Sequence, residues 1–183
     1  IDDSGVFGIQ INNDASVSDN NTIKDNIIKS GDESGISSQG MFTIIINNTI
    51  KFNVEDGIYL DSSAHRSTIS DNIIEDNEEN ALHILSNNVL ITKNTIDGYT
   101  SSAAVLVSNA NNVNMTHNVV EGGSQGIKIV NGLNSYIFNN TIESNSDYGL
   151  YLLTNSTSSI VLNNTLQENG NYAIYVHGSD SVK

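Results

Sequence analysis

The chain has 183 residues, of which 37% are hydrophobic and only 6% aromatic, so a thick globular core is not expected. Seven basic against 21 acidic side chains give a net charge of −14, which disfavours binding to nucleic acid or to anionic membrane surfaces. The absence of cysteine excludes disulfides and thiolate metal sites, and no apolar run is long enough for membrane insertion.

A short unit close to Asn-Thr-Ile recurs along the chain, which is typical of repeat proteins. An aliphatic residue stands two positions after each asparagine, and an apolar residue stands three positions before each one except the first, where Ser18 breaks the pattern. The interval between the first two asparagines, Asn21 and Asn48, is longer than the later ones and predicts an inserted surface loop around residues 30–34. The asparagines of the unit are Asn21, Asn48, Asn72, Asn94, Asn118, Asn140 and Asn164.

A second unit follows each asparagine by about ten residues and consists of a small residue and an aliphatic-X-aliphatic run, as in Gly149-Leu150-Tyr151-Leu152. The alternation predicts strands with one buried face, and three such short strands per repeat cannot fold alone. We therefore expect an all-β chain with three strands per coil. It should form a single parallel β-helix domain over residues 1–183, with about eight coils of 22–24 residues, as a segment of a longer chain.

The recurring asparagines are predicted to occupy the corners between strands. Asn tolerates a positive φ angle better than other non-glycine residues, or it hydrogen-bonds to its own backbone. Equivalent residues of stacked coils lie about 4.8 Å apart, so the side chains are expected to bond one another as a structural asparagine ladder.

The repeats resemble those of right-handed parallel β-helix proteins, the pectate-lyase-like family. The resemblance rests on units such as Ile69-Ser70-Asp71-Asn72-Ile73-Ile74-Glu75-Asp76-Asn77 followed by Ala81-Leu82-His83-Ile84. It covers nearly the whole chain and implies a right-handed coil of the surface-protein type. This fold carries lyases, hydrolases, epimerases, adhesins and surface repeats, so the resemblance does not select an activity. In the enzymes of the family, the substrate lies along the strand of the second unit.

The outward positions of that strand form a column from Gln10 to Tyr175, and they hold few groups that suit catalysis. Asp61 is the one carboxylate near it, whereas glycoside hydrolysis requires two carboxylates and a calcium-assisted lyase requires several oxygen ligands. The best constellation is Tyr59, Asp61 and His83 on neighbouring coils, with the Tyr or the His as acid or base. An ordinary mixed outer face explains the same residues.

Two further groups of residues suggest ligands. Tyr151 and Tyr175 fall on adjacent coils, where flat amphipathic rings can stack on sugars, although tyrosine is also simply common in strands. Asp56, Glu78 and Glu79 lie in the loops before the strand and could hold calcium, with a solvated acidic edge as the alternative. No cofactor is otherwise required.

The resulting hypothesis is a non-catalytic, extracellular or cell-surface β-helix from a sheath, adhesin or filament protein. Its partners would be a polysaccharide or copies of itself stacked end to end. The alternatives are a polysaccharide lyase, hydrolase or epimerase, and a glycan-binding module. If the chain is exported through a glycosylating pathway, Asn-X-Ser/Thr sequons would accept glycans at Asn20, Asn47, Asn114, Asn139, Asn155 and Asn163.

Overall fold

The computed structural model describes residues 1–2, 5–13, 19–99, 101–178 and 182–183. These residues form 22 short strands and no helix, and hence no helix that could cross a membrane. Each strand pairs in parallel with the equivalent strand of a neighbouring coil, so the chain winds as a β-helix with three strands per coil. The predicted fold class is confirmed.

Three parallel sheets run along the solenoid, with strands numbered in chain order. Sheet 1 contains β1 (Ile9–Ile11), β4 (Ile36–Ser38), β7 (Ile58–Leu60), β10 (Leu82–Ile84), β13 (Ala103–Ser108), β16 (Gln125–Val130), β19 (Tyr148–Leu153) and β22 (Tyr172–His177). Sheet 2 contains β2 (Thr22–Lys24), β5 (Ile44–Ile46), β8 (Thr68–Ser70), β11 (Leu90–Thr92), β14 (Asn114–Thr116), β17 (Tyr136–Phe138) and β20 (Ile160–Leu162). Sheet 3 contains β3 (Ile27–Lys29), β6 (Thr49–Lys51), β9 (Ile73–Glu75), β12 (Thr95–Asp97), β15 (Val119–Glu121), β18 (Thr141–Glu143) and β21 (Thr165–Gln167).

Columns of aliphatic side chains fill the interior, because every second residue of a strand points to the same face. In sheet 1, Ile58 and Leu60 are fully buried, and Tyr59 between them faces outward. Ile45 of sheet 2 and Ile50 of sheet 3 are fully buried as well, so all three sheets pack on one core. Each coil buries its apolar side chains against its neighbours, which is why the repeat has to stack to be stable.

The register of sheet 1 places one outward side chain from each strand in a single column and confirms the column predicted from the second unit. With about 4.8 Å between adjacent strands, the part from Tyr59 to Tyr175 extends over roughly 24 Å. From β1 to β22, the column contains Gln10, Ser37, Tyr59, His83, Leu106, Lys128, Tyr151 and Tyr175.

An asparagine ladder follows the corner between sheets 2 and 3. Along it, the backbone N and the Nδ2 of each asparagine donate to the Oδ1 of the asparagine one coil further on, at 2.9–3.1 Å. The positive φ angle falls on the residue before each ladder position, for instance 54° at Asn47 and 55° at Asp71, and not on the ladder asparagine itself. The ladder consists of Asn26, Asn48, Asn72, Asn94, Asn118, Asn140 and Asn164.

The first coil corrects the sequence-based assignment. Strand β3 pairs with β6, which places Asn26 and not Asn21 beside Asn48. Asn21 lies just before β2 instead. Two Asn-aliphatic units stand close together in this coil, and strand pairing selects the second. The extra residues therefore lie in the connection from β1 to β2 and not at residues 30–34; Ser18 falls outside the described residues.

Candidate functional site

A cleft of about 280 Å³ opens on the outer side of sheet 1 in its first coils. The loops before β4, β7 and β10 form its walls together with the outward side chains of these strands. The cleft is lined by Phe7, Ser34, Ser37, Glu55, Asp56, Tyr59, Glu79 and His83. Stacking of the coils thus brings acids, hydroxyls and aromatic rings from distant parts of the sequence into one concave site.

Asp56 holds His83 of the next coil. The Oδ2 of Asp56 lies 3.1 Å from Nδ1 of His83, and the Asp56 side chain is 5% exposed against 22% for His83. The Oδ1 of Asp56 accepts hydrogen bonds from the backbone N and the Nδ2 of Asn80, at 3.0 and 2.8 Å. Because Nδ1 faces this carboxylate, Nε2 is the ring nitrogen left for a ligand.

Tyr59 packs edge-on against His83, with the ring centroids 5.3 Å apart. Burial raises the pKa of the Tyr59 phenol above its ordinary value, and the charges of Asp61 and Asp56 raise it further. Tyr59 therefore keeps its proton at neutral pH and can donate a hydrogen bond into the cleft.

Asp61 does not join this group. Its Oδ1 accepts hydrogen bonds from the backbone N of Ser63 at 3.0 Å and from the hydroxyls of Ser62 and Ser63, so it caps its own turn after β7. Of the predicted trio, the structure brings together Tyr59 and His83. The carboxylate that joins them is Asp56 and not Asp61. Sequence reasoning missed this role because it assigned Asp56 to an exposed acidic loop.

The residues predicted to bind calcium do not converge on one point. Asp56 is already hydrogen-bonded, Glu79 lines the cleft, and Glu78 is exposed outside it. Within the described ranges, no group of three or more His, Asp or Glu side chains is placed to hold a metal ion. Partial desolvation of this largely exposed side chain, followed by repulsion from Glu33 and Glu79, raises the pKa of the Glu55 carboxyl. The rim of the cleft is thus an edge of mutually repelling carboxylates.

A second surface, here called the tyrosine platform, is formed by Tyr148, Tyr151, Tyr172 and Tyr175 on β19 and β22. The ring centroids of Tyr151 and Tyr175 are 5.4 Å apart. Tyr148 lies 4.7 Å from Tyr151 and 5.2 Å from Tyr175, and it stacks on Tyr172 at 5.9 Å with an angle of 9° between the rings. Sequence reasoning found Tyr151 and Tyr175 and missed the other two.

Tyr148 belongs to the platform because the alternation of inward and outward side chains is interrupted in β19. Gly149 and Leu150 are both buried, so the residues on either side of them, Tyr148 and Tyr151, both face outward. A Cβ on Gly149 would lie 2.7 Å from the carbonyl oxygen of Ala173, which shows how closely the two coils approach there. The tyrosines three residues apart in β19 and again in β22 were the available sequence signal.

Lys128 stands beside the platform, with its Nζ 5.9 Å from the centre of the Tyr151 ring. Burial and the charge of Asp147 raise the pKa of the Tyr148 phenol. Tyr148 therefore keeps its proton at neutral pH, and the platform offers flat phenol rings next to one ammonium group.

The asparagines of all six predicted sequons are exposed on the folded chain. Asn47, Asn139 and Asn163 are corner residues with φ angles of 54°, 53° and 56°, each directly before a ladder asparagine. No sequon asparagine is therefore hidden by the fold.

Three parallel sheets around one core, with an open outer face on sheet 1, define a parallel β-helix protein. The family model described as "Right handed beta helix region" matches residues 56–183. The chain belongs to this family, as the resemblance of its repeats indicated. The model described as "Periplasmic copper-binding protein (NosD)" matches residues 6–101.

Two solved structures from Azotobacter vinelandii are similar to the chain. The A-module of the mannuronan C-5 epimerase AlgE6 matches with a TM-score of 0.54 at 15% identity, covering 88% of this chain and 58% of that module. The A-module of AlgE4 matches with a TM-score of 0.56 at 12% identity, covering 90% and 56%. At these identities the likeness concerns the fold, and the chain spans little more than half of either module. None of the curated proteins matches the chain.

In the described part of the segment that matches the NosD model, the residues are not placed to form a copper centre. Copper prefers imidazole and sulfur ligands in proteins. Nδ1 of His83 faces Asp56, and Nδ1 of His65 accepts a hydrogen bond from the backbone N of Asn87 at 3.1 Å. The described residues therefore provide no cluster of metal ligands around either ring.

Proposed function

We propose that the chain is a non-catalytic, polysaccharide-binding segment of a protein that acts outside the cytoplasm. The tyrosine platform is the observation that carries this proposal. Tyrosine rings cover the apolar face of a sugar while their hydroxyls stay in water. Because the rings stand on a rigid sheet and already contact each other, binding would cost little ordering of side chains.

The outer face of sheet 1 favours a linear glycan that lies along the solenoid axis. Its outward column connects the cleft near Tyr59 to the platform at Tyr175, over roughly 24 Å. Leu106 and Lys128 continue the column between them, so a polymer would meet apolar and polar contacts along its length. The net charge of −14 opposes polyanions and nucleic acids, so we infer a neutral polysaccharide.

Two features support a location outside the cytoplasm. The family model that matches residues 6–101 is named for periplasmic proteins. The six sequon asparagines are all accessible. A surface, sheath, adhesin or filament protein would use such a segment to attach to a glycan layer.

Affinity gel electrophoresis tests the binding proposal. We expect the chain to be retarded by a neutral polysaccharide such as a β-glucan or a mannan and not by alginate or pectate. Retardation should be lost when Tyr151 and Tyr175 are both changed to Ala, and it should persist in Tyr99→Ala, since Tyr99 is exposed outside the platform. An unchanged urea midpoint excludes unfolding. Absence of retardation in every neutral gel, or retention in the double variant, would contradict the proposal.

A second candidate, a polysaccharide-modifying enzyme, is favoured by the cleft. His83, oriented by Asp56, and the protonated Tyr59 place a base and an acid side by side, as proton transfer at a sugar carbon requires. Incubation with polymannuronate and pectate, followed by NMR of the polymer, tests this candidate. Turnover that disappears in His83→Gln and Tyr59→Phe would replace the non-catalytic proposal, and no turnover in the parent chain would exclude these two substrates.

A further inference from the structure

The tyrosine platform has a second chemical property, because its phenols touch one another across two adjacent coils. Tyr148 of β19 and Tyr175 of β22 each contact the three other rings of the platform, with centroid distances from 4.7 to 5.9 Å. Across the two coils, Tyr148 contacts Tyr172 and Tyr175, and Tyr151 contacts Tyr175. Tyr172 is 55% exposed, so reagents in solution reach the cluster directly.

The composition of the chain directs oxidation to these rings. The sequence contains no cysteine and no tryptophan, the residues that usually compete with tyrosine for one-electron oxidants. Of its two methionines, Met115 is 1% exposed in the core, and Met41 is half-buried in the turn before β5. Outside the platform, Tyr136 stacks on Phe138, which cannot form a phenoxyl radical.

We propose that the tyrosine platform is an oxidative cross-linking site, at which a peroxidase with hydrogen peroxide joins Tyr148 to Tyr172 or Tyr175, or Tyr151 to Tyr175. Each of the two phenols gives up one electron and one proton. The two radicals then couple through ring carbons next to the hydroxyl-bearing carbons, and the hydrogens on those carbons move to the oxygens as both rings become aromatic again. Hydrogen peroxide takes up the two electrons and two protons and leaves as two waters, so the chain loses two hydrogens.

Such a bond has a clear structural consequence. Each coil of a solenoid is held by its neighbours alone, so adjacent coils can separate locally. A carbon–carbon bond between β19 and β22 would prevent the separation of these two coils. In a chain without cysteine no disulfide can supply this covalent link, and a pair of tyrosines can.

Peroxidase treatment of the purified chain at low protein concentration tests the proposal. A protease that cleaves after glutamate cuts at Glu168 and separates the tyrosines of β19 from those of β22. We expect a monomer that has lost two hydrogens and shows dityrosine fluorescence, and in its digest the two peptides should remain joined.

The double variant Tyr148→Phe/Tyr151→Phe removes both phenols of β19 and should lose the joined peptide, whereas Tyr136→Phe should yield as much as the parent chain. Phenylalanine keeps the ring, and an equal urea midpoint shows that both variants are folded. Cross-links that form mainly between molecules, or a yield that the double variant leaves unchanged, would overturn the proposal. The readout is independent of glycan binding.

Discussion

Asp56 and His83 are paired across adjacent coils, with 3.1 Å between Oδ2 and Nδ1, and the Asp56 side chain is only 5% exposed. The same carboxylate accepts two hydrogen bonds from Asn80. One buried side chain therefore ties the loop before β7 to the coil of β10 and shapes the floor of the cleft.

Replacing Asp56 with Ala should lower the free energy of unfolding by about 3 kcal/mol, because the donors of Asn80 and His83 lose their acceptor in a buried place. Urea unfolding followed by circular dichroism measures this change. The adjacent and exposed Glu55 provides the control, since Glu55→Ala should have little effect. Equal losses in the two variants would show that the pair does not stabilise the coils.

The asparagine ladder should be similarly sensitive at its centre. The Oδ1 of Asn72 accepts bonds from the N and Nδ2 of Asn48, and its Nδ2 donates to the carbonyls of Ile45 and Ser70. We expect Asn72→Ala to cost about 3 kcal/mol in urea unfolding, because several buried groups lose their partners together. Asn114→Ala, at an exposed strand position, should cost far less. A comparable loss at Asn114 would argue against a special role of the ladder.

Ser135 is a site where a substitution should stabilise the chain. Its Oγ is buried and has no hydrogen-bond partner among the described residues. Ser135→Ala removes that hydroxyl and should raise the free energy of unfolding by about 1 kcal/mol. Ser67 is the matched control, because its hydroxyl donates to the carbonyl of Ala64 and accepts from the N of Thr43. Ser67→Ala should therefore destabilise, and calorimetric melting of both variants should show shifts of opposite sign.

The outer face of sheet 3 should make the stability depend on pH. Asp97 and Glu121 lie in register on β12 and β15. Burial raises the pKa of both carboxyls, and neighbouring carboxylates raise them further: Asp76 and Glu75 act on Asp97, and Asp97 and Glu143 act on Glu121.

A carboxyl with a higher pKa in the folded than in the unfolded chain binds more protons when folded. Its contribution to stability is therefore lost as the pH rises from the unfolded value, 3.8 for Asp and 4.5 for Glu, through the raised folded value. We expect the urea midpoint to increase as the pH is lowered from about 7 to about 5, and to increase less in Glu121→Gln. Adding salt at neutral pH should also raise the urea midpoint, because salt screens the repulsion between these carboxylates. A urea midpoint that falls as the pH is lowered over this range would contradict the effect expected from the raised pKa values of Asp97 and Glu121.

Periodicity along the chain was sufficient to predict the coils, the three strands in each of them and the outward column from Tyr59 to Tyr175. The physical reason is that stacking makes equal repeat positions equivalent in space. Asn72 and Asn94, for example, occupy the same corner and make the same bonds. The periodic pattern of the sequence therefore predicts directly which side chains form columns in the structure.

The first coil shows the limit of the motif taken without its spacing. Asn21 and Asn26 both begin an Asn-X-aliphatic unit; Asn21 matches Asn-Thr-Ile more closely, but Asn26, 22 residues before Asn48, fits the repeat length, whereas Asn21 lies 27 residues before it. The pairing of β3 with β6 confirms Asn26, because this register buries Ile28 against Ile50. The repeat length was therefore a better guide here than the residue types of the unit.

The repeat chemistry of the amino-acid sequence thus specifies the solenoid and the face that a ligand can reach. Which groups meet on that face depends on turns and bends that fold against the next coil. Asp61 turns back to Ser63, and Asp56 reaches His83 although they are 27 residues apart. The two consecutive buried residues Gly149 and Leu150 leave Tyr148 facing outward. Side-chain directions at such places follow from hydrogen bonds and close backbone approaches, which a periodic pattern does not encode.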